Sequence, residues 1–226
     1  IVLSHHHADH VGAVEAVQER WDLPCWGHRK TGELLERSFD RELDEGDLIE
    51  LGESPAGDSG WSLRCLFTPG HAEGHLAFFD ERHQALLAGD LLSTLVSMYV
   101  GSPGGHLESY FRSLEKIRRL DIRLLYPSHG MPTADARSLI NKTIQHRKKR
   151  IGQVQDKLAE GLGEVRELSR EIYRDEADSR LRPLYERTTR AALEYLVEQG
   201  SARKLAEDRY EITPGSQLEP PPESGS

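Results

Sequence analysis

Four histidines and one aspartate crowd into the segment SHHHADH at residues 4–10. In an extended segment, side chains two residues apart point to the same side, so His5 and His7 can face one point. Asp9 and His10 can then reach a second point slightly further along the chain. Imidazole and carboxylate groups together suit zinc, manganese or iron. Because the segment contains no cysteine, it does not fit the closed thiolate site that is typical of structural zinc.

Two other origins of such a segment are the remnant of an affinity tag and a solvated loop. A tag is rarely embedded between an apolar, strand-like segment such as IVLS at residues 1–4 and a helical pattern such as HVGAVEAVQER at residues 10–20. The later part of the sequence also contains further residues of ligand type. We therefore interpret residues 4–10 as part of a metal site.

Three of these further residues stand where strand-like segments give way to loops. His71 follows WSLRCLF in TPGH, Asp90 ends LLAGD, and His129 lies in LYPSHG. The ends of strands are where α/β folds gather their active-site groups. Together with the four candidate ligands of residues 4–10, this set suffices for two metal ions with about three ligands each and one bridging carboxylate.

Residues 1–130 alternate short apolar segments with helical patterns and glycine-containing loops. IVLS predicts a strand, and the valine spacing after it predicts a helix with Asp9 at the N-cap. HLAFFD and QALLAGD flank ERH as the two strands of a hairpin, and HLESYFRSLEKIRRL has the spacing of an amphipathic helix. These patterns predict an α/β layered fold.

The pattern changes after about residue 133 to long helical segments, followed by the two short alternating segments of GSARKLAEDRYEIT. Three helices and a hairpin are typical of a winged helix, which is a variant of the helix-turn-helix motif. We predict a first domain at residues 1–155 that includes a long C-terminal helix, and a winged-helix-like module at 156–212. Residues 213–226 are rich in Pro, Ser and Gly, which predicts a disordered tail.

The composition excludes some classes of function. With a formal net charge of −9, the chain does not attract phosphate backbones by its overall charge. Residues 151–226 contain 11 Lys and Arg against 16 Asp and Glu, which disfavours DNA binding by the module. No apolar run approaches the ~20 residues of a membrane span. Cys25 and Cys65 predict buried thiols and favour a reducing, cytoplasmic compartment, unless a targeting signal precedes Ile1.

The motifs HxHxDH, TPGH, GD and PSHG, in this order, resemble those of the metallo-β-lactamase-fold hydrolases. The resemblance spans residues 1–130 and implies an αββα sandwich that holds two zinc ions between its sheets. It also implies that this chain lacks the N-terminal strands that normally precede the first motif. An aspartate in that motif, and no cysteine at GD, make the chain similar to the hydroxyacylglutathione hydrolase branch. The implied ligands are His5, His7 and His71 for one zinc, Asp9, His10 and His129 for the other, and Asp90 as the bridge.

The resemblance also implies which side chains act. Two metal ions roughly 3.5–4 Å apart activate water at neutral pH, so no serine or cysteine nucleophile is needed. Asp9 and Asp90 are the carboxylates on which catalysis would depend. His75, which matches a histidine of the family, is expected to lie next to the site or to have a structural role, and not to be a ligand.

The helical region at residues 135–212 resembles the C-terminal module of the β-lactamase-like protein 2 group. That group includes endoribonucleases that cut single-stranded RNA, and its relatives include thioesterases for carrier-bound acyl chains. The resemblance therefore implies RNA or a small acyl ester or thioester as substrate, and leaves the oligomeric state open. Arg147, Lys148, Lys149 and Arg150 form a basic cluster that could contact substrate phosphate, and the alternative is a solvated helix face.

Overall fold

The computed structural model describes residues 1–54, 57, 59–175 and 178–215. Its secondary structure is mixed, as predicted, with helices between and after the strands. The elements in chain order are α1 (Ala8–Val11), α2 (Val14–Trp21), β1 (Trp26–Gly27), α3 (Arg29–Leu34), β2 (Arg41–Glu42), β3 (Leu48–Gly52), β4 (Trp61–Phe67), β5 (Leu76–Asp80), β6 (Ala85–Gly89), α4 (Leu107–Arg118), β7 (Leu124–Pro127), α5 (Ala136–Ala159), α6 (Val165–Ile172), α7 (Arg182–Glu198), β8 (Ala202–Ala206) and β9 (Arg209–Ile212), with a short 3-10 turn at Ser179–Leu181.

The largest sheet has five strands in the order β3-β4-β5-β6-β7. The central strand, β5, is buried along its whole length, because it is paired on both edges and carries the apolar run Leu-Ala-Phe-Phe. Pairing is antiparallel from β3 to β6, and β6 runs parallel to β7. A parallel pair needs a crossover connection, and α4 lies in that connection. Strands β4, β6 and β7 therefore end at the same edge of the sheet.

The predicted hairpin of HLAFFD and QALLAGD is formed by β5 and β6, and the predicted amphipathic helix is α4. Two local predictions were wrong. The segment IVLS makes only an isolated bridge between Val2 and Trp26. Asp9 does not cap a helix, because α1 begins at Ala8 with His7 at its N-cap, and Asp9 lies in the first turn. The valine spacing did not reveal that α1 ends and α2 begins anew, because α2 continues the same apolar periodicity.

The chain divides into two compact units, residues 1–100 with 104–145, and residues 101–103 with 146–226. The first unit holds the five-stranded sheet. In the second, the end of α5 with α6 and α7 buries an apolar core, and β8 pairs with β9 as an antiparallel hairpin. Our predicted domain boundary at residue 155 lies further along α5 than this division. The predicted disordered tail at 213–226 lies mostly outside the described residues.

Among the helices of the described residues, none combines the length and the apolar character that a membrane-spanning segment requires.

Both cysteines are free and buried, Cys25 and Cys65. Burial raises the pKa of the Cys65 thiol to about 11, so about 0.1% of it is thiolate at pH 8. We expect a disulfide-exchange reagent such as DTNB to modify neither thiol at an appreciable rate in the folded protein at pH 8. Both should react at once in guanidinium chloride. Equal rates before and after unfolding would show that the two thiols are not in the core.

Candidate metal centre

The first unit of the chain brings all seven predicted ligands to one edge of the sheet. His71, Asp90 and His129 follow β4, β6 and β7, whose C-terminal ends meet there. The histidine-rich segment reaches the same edge because Leu76 N, at the start of β5, donates to Ser4 O at 2.8 Å. Residues far apart in sequence therefore lie within contact distance.

The first group of candidate ligands is buried except for the half-buried His7. It consists of three imidazoles and one carboxylate: His5, His7, His71 and Asp90. One ligand atom from each lies within 4.8 Å of the others. His7 Nδ1 is 3.0 Å from His5 Nε2 and 2.9 Å from His71 Nε2. A compact set of neutral nitrogens and one carboxylate oxygen is the kind of environment that zinc, manganese and iron bind.

The second group consists of Asp9, His10 and His129, again with ligand atoms within 4.8 Å of one another. Asp9 Oδ2 lies 3.5 Å from His10 Nε2 and 3.3 Å from His129 Nε2. These side chains are more accessible than those of the first group, and the Asp9 side chain is 59% exposed. This side of the site is therefore open to a substrate.

Asp90 lies between the two groups. Its Oδ2 is 3.4 Å from Nε2 of both His71 and His129, and its Oδ1 is 3.2 Å from His10 Nε2. The one carboxylate therefore reaches nitrogens of both groups, as a bridging ligand must. Burial alone would raise the pKa of Asp90, but the neighbouring His10 and His71 hold it below its usual value, so the group is ionised at neutral pH.

Two features of these residues fit bound metal ions. His10 Nε2 and Asp90 Oδ1 are buried and lie 3.2 Å apart, but their contact does not have the geometry of a hydrogen bond, and neither atom has another hydrogen-bond partner among the described residues. Buried polar atoms are normally satisfied, so an unsatisfied pair aimed into one site calls for a further partner. In addition, His71 Nδ1 donates to Tyr99 O at 2.6 Å, which leaves the lone pair of Nε2 directed at the site. Metal-binding histidines usually donate their other ring N–H in this way.

The protonation states of the first group also suit a cation. Burial, with a further contribution from His71, lowers the pKa of His7 to about 4. Burial lowers the pKa of His5 and of His71 below the ordinary value as well. These three imidazoles are therefore neutral at pH 7, which is the form that coordinates a metal. His10 differs, since its contact with Asp90 raises its pKa.

His75 is fully buried behind the site. Its Nε2 accepts a hydrogen bond from Asp90 N at 3.0 Å, so Nδ1 must carry the ring proton and donate to Thr68 Oγ1 at 2.8 Å. Burial lowers the pKa of His75 to about 3, which keeps the ring neutral. Gly89 adopts φ +54°, and a Cβ there would lie 2.6 Å from His75 Nε2. His75 therefore positions the backbone that carries Asp90.

The predicted basic cluster is not one surface. Lys148 and Lys149 are exposed, but Arg147 is buried. The Arg150 guanidinium lies over the ring of Tyr173 at 4.6 Å. Successive residues of a helix point about 100° apart, so four in a row cannot face one way. Contact between substrate and the exposed pair, Lys148 and Lys149, stays a prediction.

Three contributors to the site had no signal in the sequence analysis. The Tyr99 carbonyl and the Ser4 hydroxyl contact Nδ1 of two candidate ligands, His71 at 2.6 Å and His5 at 3.1 Å. Thr68 orients His75. A backbone carbonyl has no sequence signature, and Ser and Thr are too common to stand out without the fold.

Comparison with known families agrees with this geometry. The sequence profile of the metallo-beta-lactamase superfamily matches residues 1–129. The chain belongs to this superfamily. The match covers every one of the seven candidate ligands, and the predicted fold class is confirmed.

Several curated proteins of the superfamily are similar to this chain. It is 30% identical over 130 residues to a hydroxyacylglutathione hydrolase of Bdellovibrio bacteriovorus, covering 57% of this chain and 48% of the relative. Identity is 28% over 208 residues with the probable metallo-hydrolase YqjP of Bacillus subtilis, covering 71% and 63%. It is 28% over 155 residues with the beta-lactamase-like protein 2 homolog of Caenorhabditis elegans, covering 66% and 48%. The chain thus spans roughly half to three fifths of the length of these relatives.

Solved structures of the superfamily cover nearly all of the chain. A metallo-beta-lactamase family protein of Thermus thermophilus matches 94% of this chain and 79% of its own, with a TM-score of 0.76 and 26% identity. A beta-lactamase domain protein of Burkholderia ambifaria matches 94% and 73%, with a TM-score of 0.78 and 21% identity, which shows the shared fold alone.

Proposed function

We propose that this chain is the catalytic part of a hydrolase that uses two metal ions. The observation that carries the proposal is the pair of ligand groups that share Asp90, whose carboxylate lies within 3.4 Å of nitrogens from both. His5, His7 and His71 would hold one ion and Asp9, His10 and His129 the other. When bound, two such ions activate water and polarise the oxygen of the substrate's carbonyl or phosphoryl group.

Zinc is the ion we propose for both positions, since imidazole and carboxylate in a compact site suit it. The same donors also accept manganese and iron. Iron has support from a solved structure, since the protein TTHA1623, described in a di-iron-bound form, is 28% identical to this chain with a TM-score of 0.50.

Asp9 and Asp90 have different roles in the proposed hydrolysis. Water attacks the carbonyl carbon, the bond to the leaving sulfur or oxygen breaks, and the products are a carboxylate and a thiol or alcohol. The attacking water loses one proton to solvent, and the leaving group takes up the other. Asp9 lies at the exposed side, where its carboxylate can orient the water and accept a hydrogen bond from it. The Asp90 carboxylate lies between the two groups of ligands, and the hydrogen bond from Asp90 N to His75 Nε2 holds its backbone in place.

An acyl ester or thioester is the substrate class that we propose. A relative with 30% identity is named hydroxyacylglutathione hydrolase, and the motifs HxHxDH, TPGH, GD and PSHG of this chain resemble those of that branch. The charge of Asp9 would be offset by the metal ion it holds, but Glu73, whose charge acts on His6, is also acidic and would repel a polyanion.

A phosphodiester in single-stranded RNA is the second candidate. It is supported by the exposed pair Lys148 and Lys149 and by the helices and hairpin of the second unit, which we propose to be a winged-helix module. Phosphate contacts dominate nucleic-acid affinity and weaken as salt rises. RNA cleavage should therefore fall with ionic strength, and Lys148→Ala with Lys149→Ala should raise KM for RNA. Lys142→Ala, at an exposed position of the same helix, is the matched control.

The test of the metal-dependent function measures metal and activity together. We expect protein reconstituted with zinc to retain about two equivalents by elemental analysis and to hydrolyse an acyl thioester. A chelator should abolish the hydrolysis, and added zinc should restore it. Manganese and ferrous iron serve as parallel reconstitutions. Metal content near zero after all three would contradict the proposed centre, and full activity in the chelated protein would contradict the metal-dependent mechanism.

A further inference from the structure

Two loops beside the candidate metal centre are tied together by hydrogen bonds. Ser93 Oγ donates to His129 O at 2.9 Å, and Thr94 N donates to the same carbonyl at 3.3 Å. Thr94 Oγ1 donates to Met131 O at 3.0 Å and accepts from Met131 N at 2.8 Å. Gly130 makes this approach possible, because it has φ +112° and a Cβ there would collide with Thr94. One loop follows Asp90 and the other carries His129, so both are anchored at the site.

These tied loops present large apolar side chains to solvent. Leu95 is 71% exposed, Val96 is 68% exposed and Met131 is 74% exposed, more than any other large hydrophobic residue of the structure's described part. Leu95 N and Val96 N both donate to Ser93 Oγ, so the backbone that carries them is held in place. We call these three residues the apolar rim. An exposed apolar group next to a reaction centre is typical of a binding surface.

The charge of the surrounding loops indicates what the apolar rim binds. Residues 91–100 and 124–134, which contain both loops, include no Asp, Glu, Lys or Arg. A phosphodiester backbone needs cationic or hydrogen-bonding partners along its path, and a hydrocarbon chain needs only apolar surface. The apolar rim therefore suits a substrate whose portion outside the metal centre is uncharged.

We propose that the apolar rim binds the hydrocarbon tail of an acyl substrate whose ester or thioester group lies at the metal centre. The proposal rests on the proposed hydrolase function and narrows its substrate to medium-chain or longer acyl groups. Leu95 and Val96 would contact one side of the tail and Met131 the other. Met suits such a surface, since its unbranched, flexible side chain adapts to chains of different length.

The first test measures kcat/KM for a series of acyl thioesters of N-acetylcysteamine, from acetyl to octanoyl, with the zinc-loaded protein. A fully buried methylene contributes a factor of about four, and a rim that covers part of the tail should make octanoyl at least about tenfold better than acetyl. The double variant Leu95→Asn/Met131→Gln should lower the octanoyl-to-acetyl ratio at least about fivefold. The matched control is Leu48→Asn, an exposed leucine of the edge strand β3, which should leave the ratio unchanged.

A second measurement does not depend on turnover. Calorimetric titration with the carboxylate products, from acetate to octanoate, should show affinity that rises with chain length in the wild type and in Leu48→Asn, and that rises less in the double variant. Turnover with no dependence on chain length would overturn the apolar rim and leave the hydrolase intact. Chain-length-dependent binding without turnover would support the rim and contradict the hydrolase. Cleavage of single-stranded RNA with flat binding of all carboxylates would overturn the acyl substrate altogether.

Discussion

Replacing Asp90 with asparagine is expected to remove at least one metal ion and to lower kcat by roughly 1,000-fold. This loss corresponds to an increase of about 4 kcal/mol in the activation free energy. The carboxylate is buried and lies within 3.4 Å of nitrogens in both ligand groups. Asparagine keeps its size and its backbone bond to His75 but loses the negative charge that offsets two cations. Elemental analysis and steady-state kinetics on the same preparation measure both effects.

The matched control is Asp80→Asn, the same change at another buried aspartate of the sheet. Asp80 accepts hydrogen bonds from Trp61 Nε1 at 2.7 Å and from His83 N at 3.0 Å, away from the candidate ligands. Its replacement should cost about 1–3 kcal/mol of stability and leave the metal content unchanged. If Asp90→Asn retains two metals and near-normal turnover while Asp80→Asn does the same, Asp90 is not the bridging ligand.

The second large effect is expected at His75, where two substitutions separate its two hydrogen bonds. In His75→Gln, the side-chain carbonyl can replace Nε2 as the acceptor for Asp90 N. In His75→Asn, the shorter side chain can still donate to Thr68 Oγ1 but does not reach Asp90. Loss of a partner that orients a metal site typically costs 10–100-fold in metal affinity or activity. We expect about that loss for His75→Asn, and a loss of roughly threefold or less for His75→Gln.

Metal affinity is measured by competition with a chromophoric chelator, and thermal melts of the metal-free variants report the cost in stability separately. Both variants replace a fully buried ring and should be destabilised by about 1–3 kcal/mol. Equal losses of metal affinity in the two variants would show that the volume of His75 matters and its acceptor atom does not. A loss in neither would show that Asp90 is positioned by other contacts.

The ligand set could be predicted from sequence because metal ligation uses few residue types in recognisable order. His5, His7, Asp9 and His10 are neighbours along the chain. His71, Asp90 and His129 stand next to Gly or Pro at the ends of apolar segments, where backbone turns expose side chains. The β5–β6 hairpin and α4 were also predictable, since periodicities of two and 3.6 residues are local properties. Helix boundaries were not, because the break between α1 and α2 preserves the apolar spacing.

Other properties depended on contacts between distant parts of the chain. The basic cluster looked continuous in sequence, but the rotation of the helix buries Arg147 and places Arg150 on Tyr173. The ring proton of His71 is placed by a backbone carbonyl, which every residue has and no sequence pattern marks. The apolar rim exists only because Thr94 joins two loops that are 37 residues apart. The sequence by itself thus determined which groups can bind metal, since that is a property of side-chain type. The tertiary structure decided their tautomers, their burial and the surface beside them, since these arise from neighbours that only folding brings together.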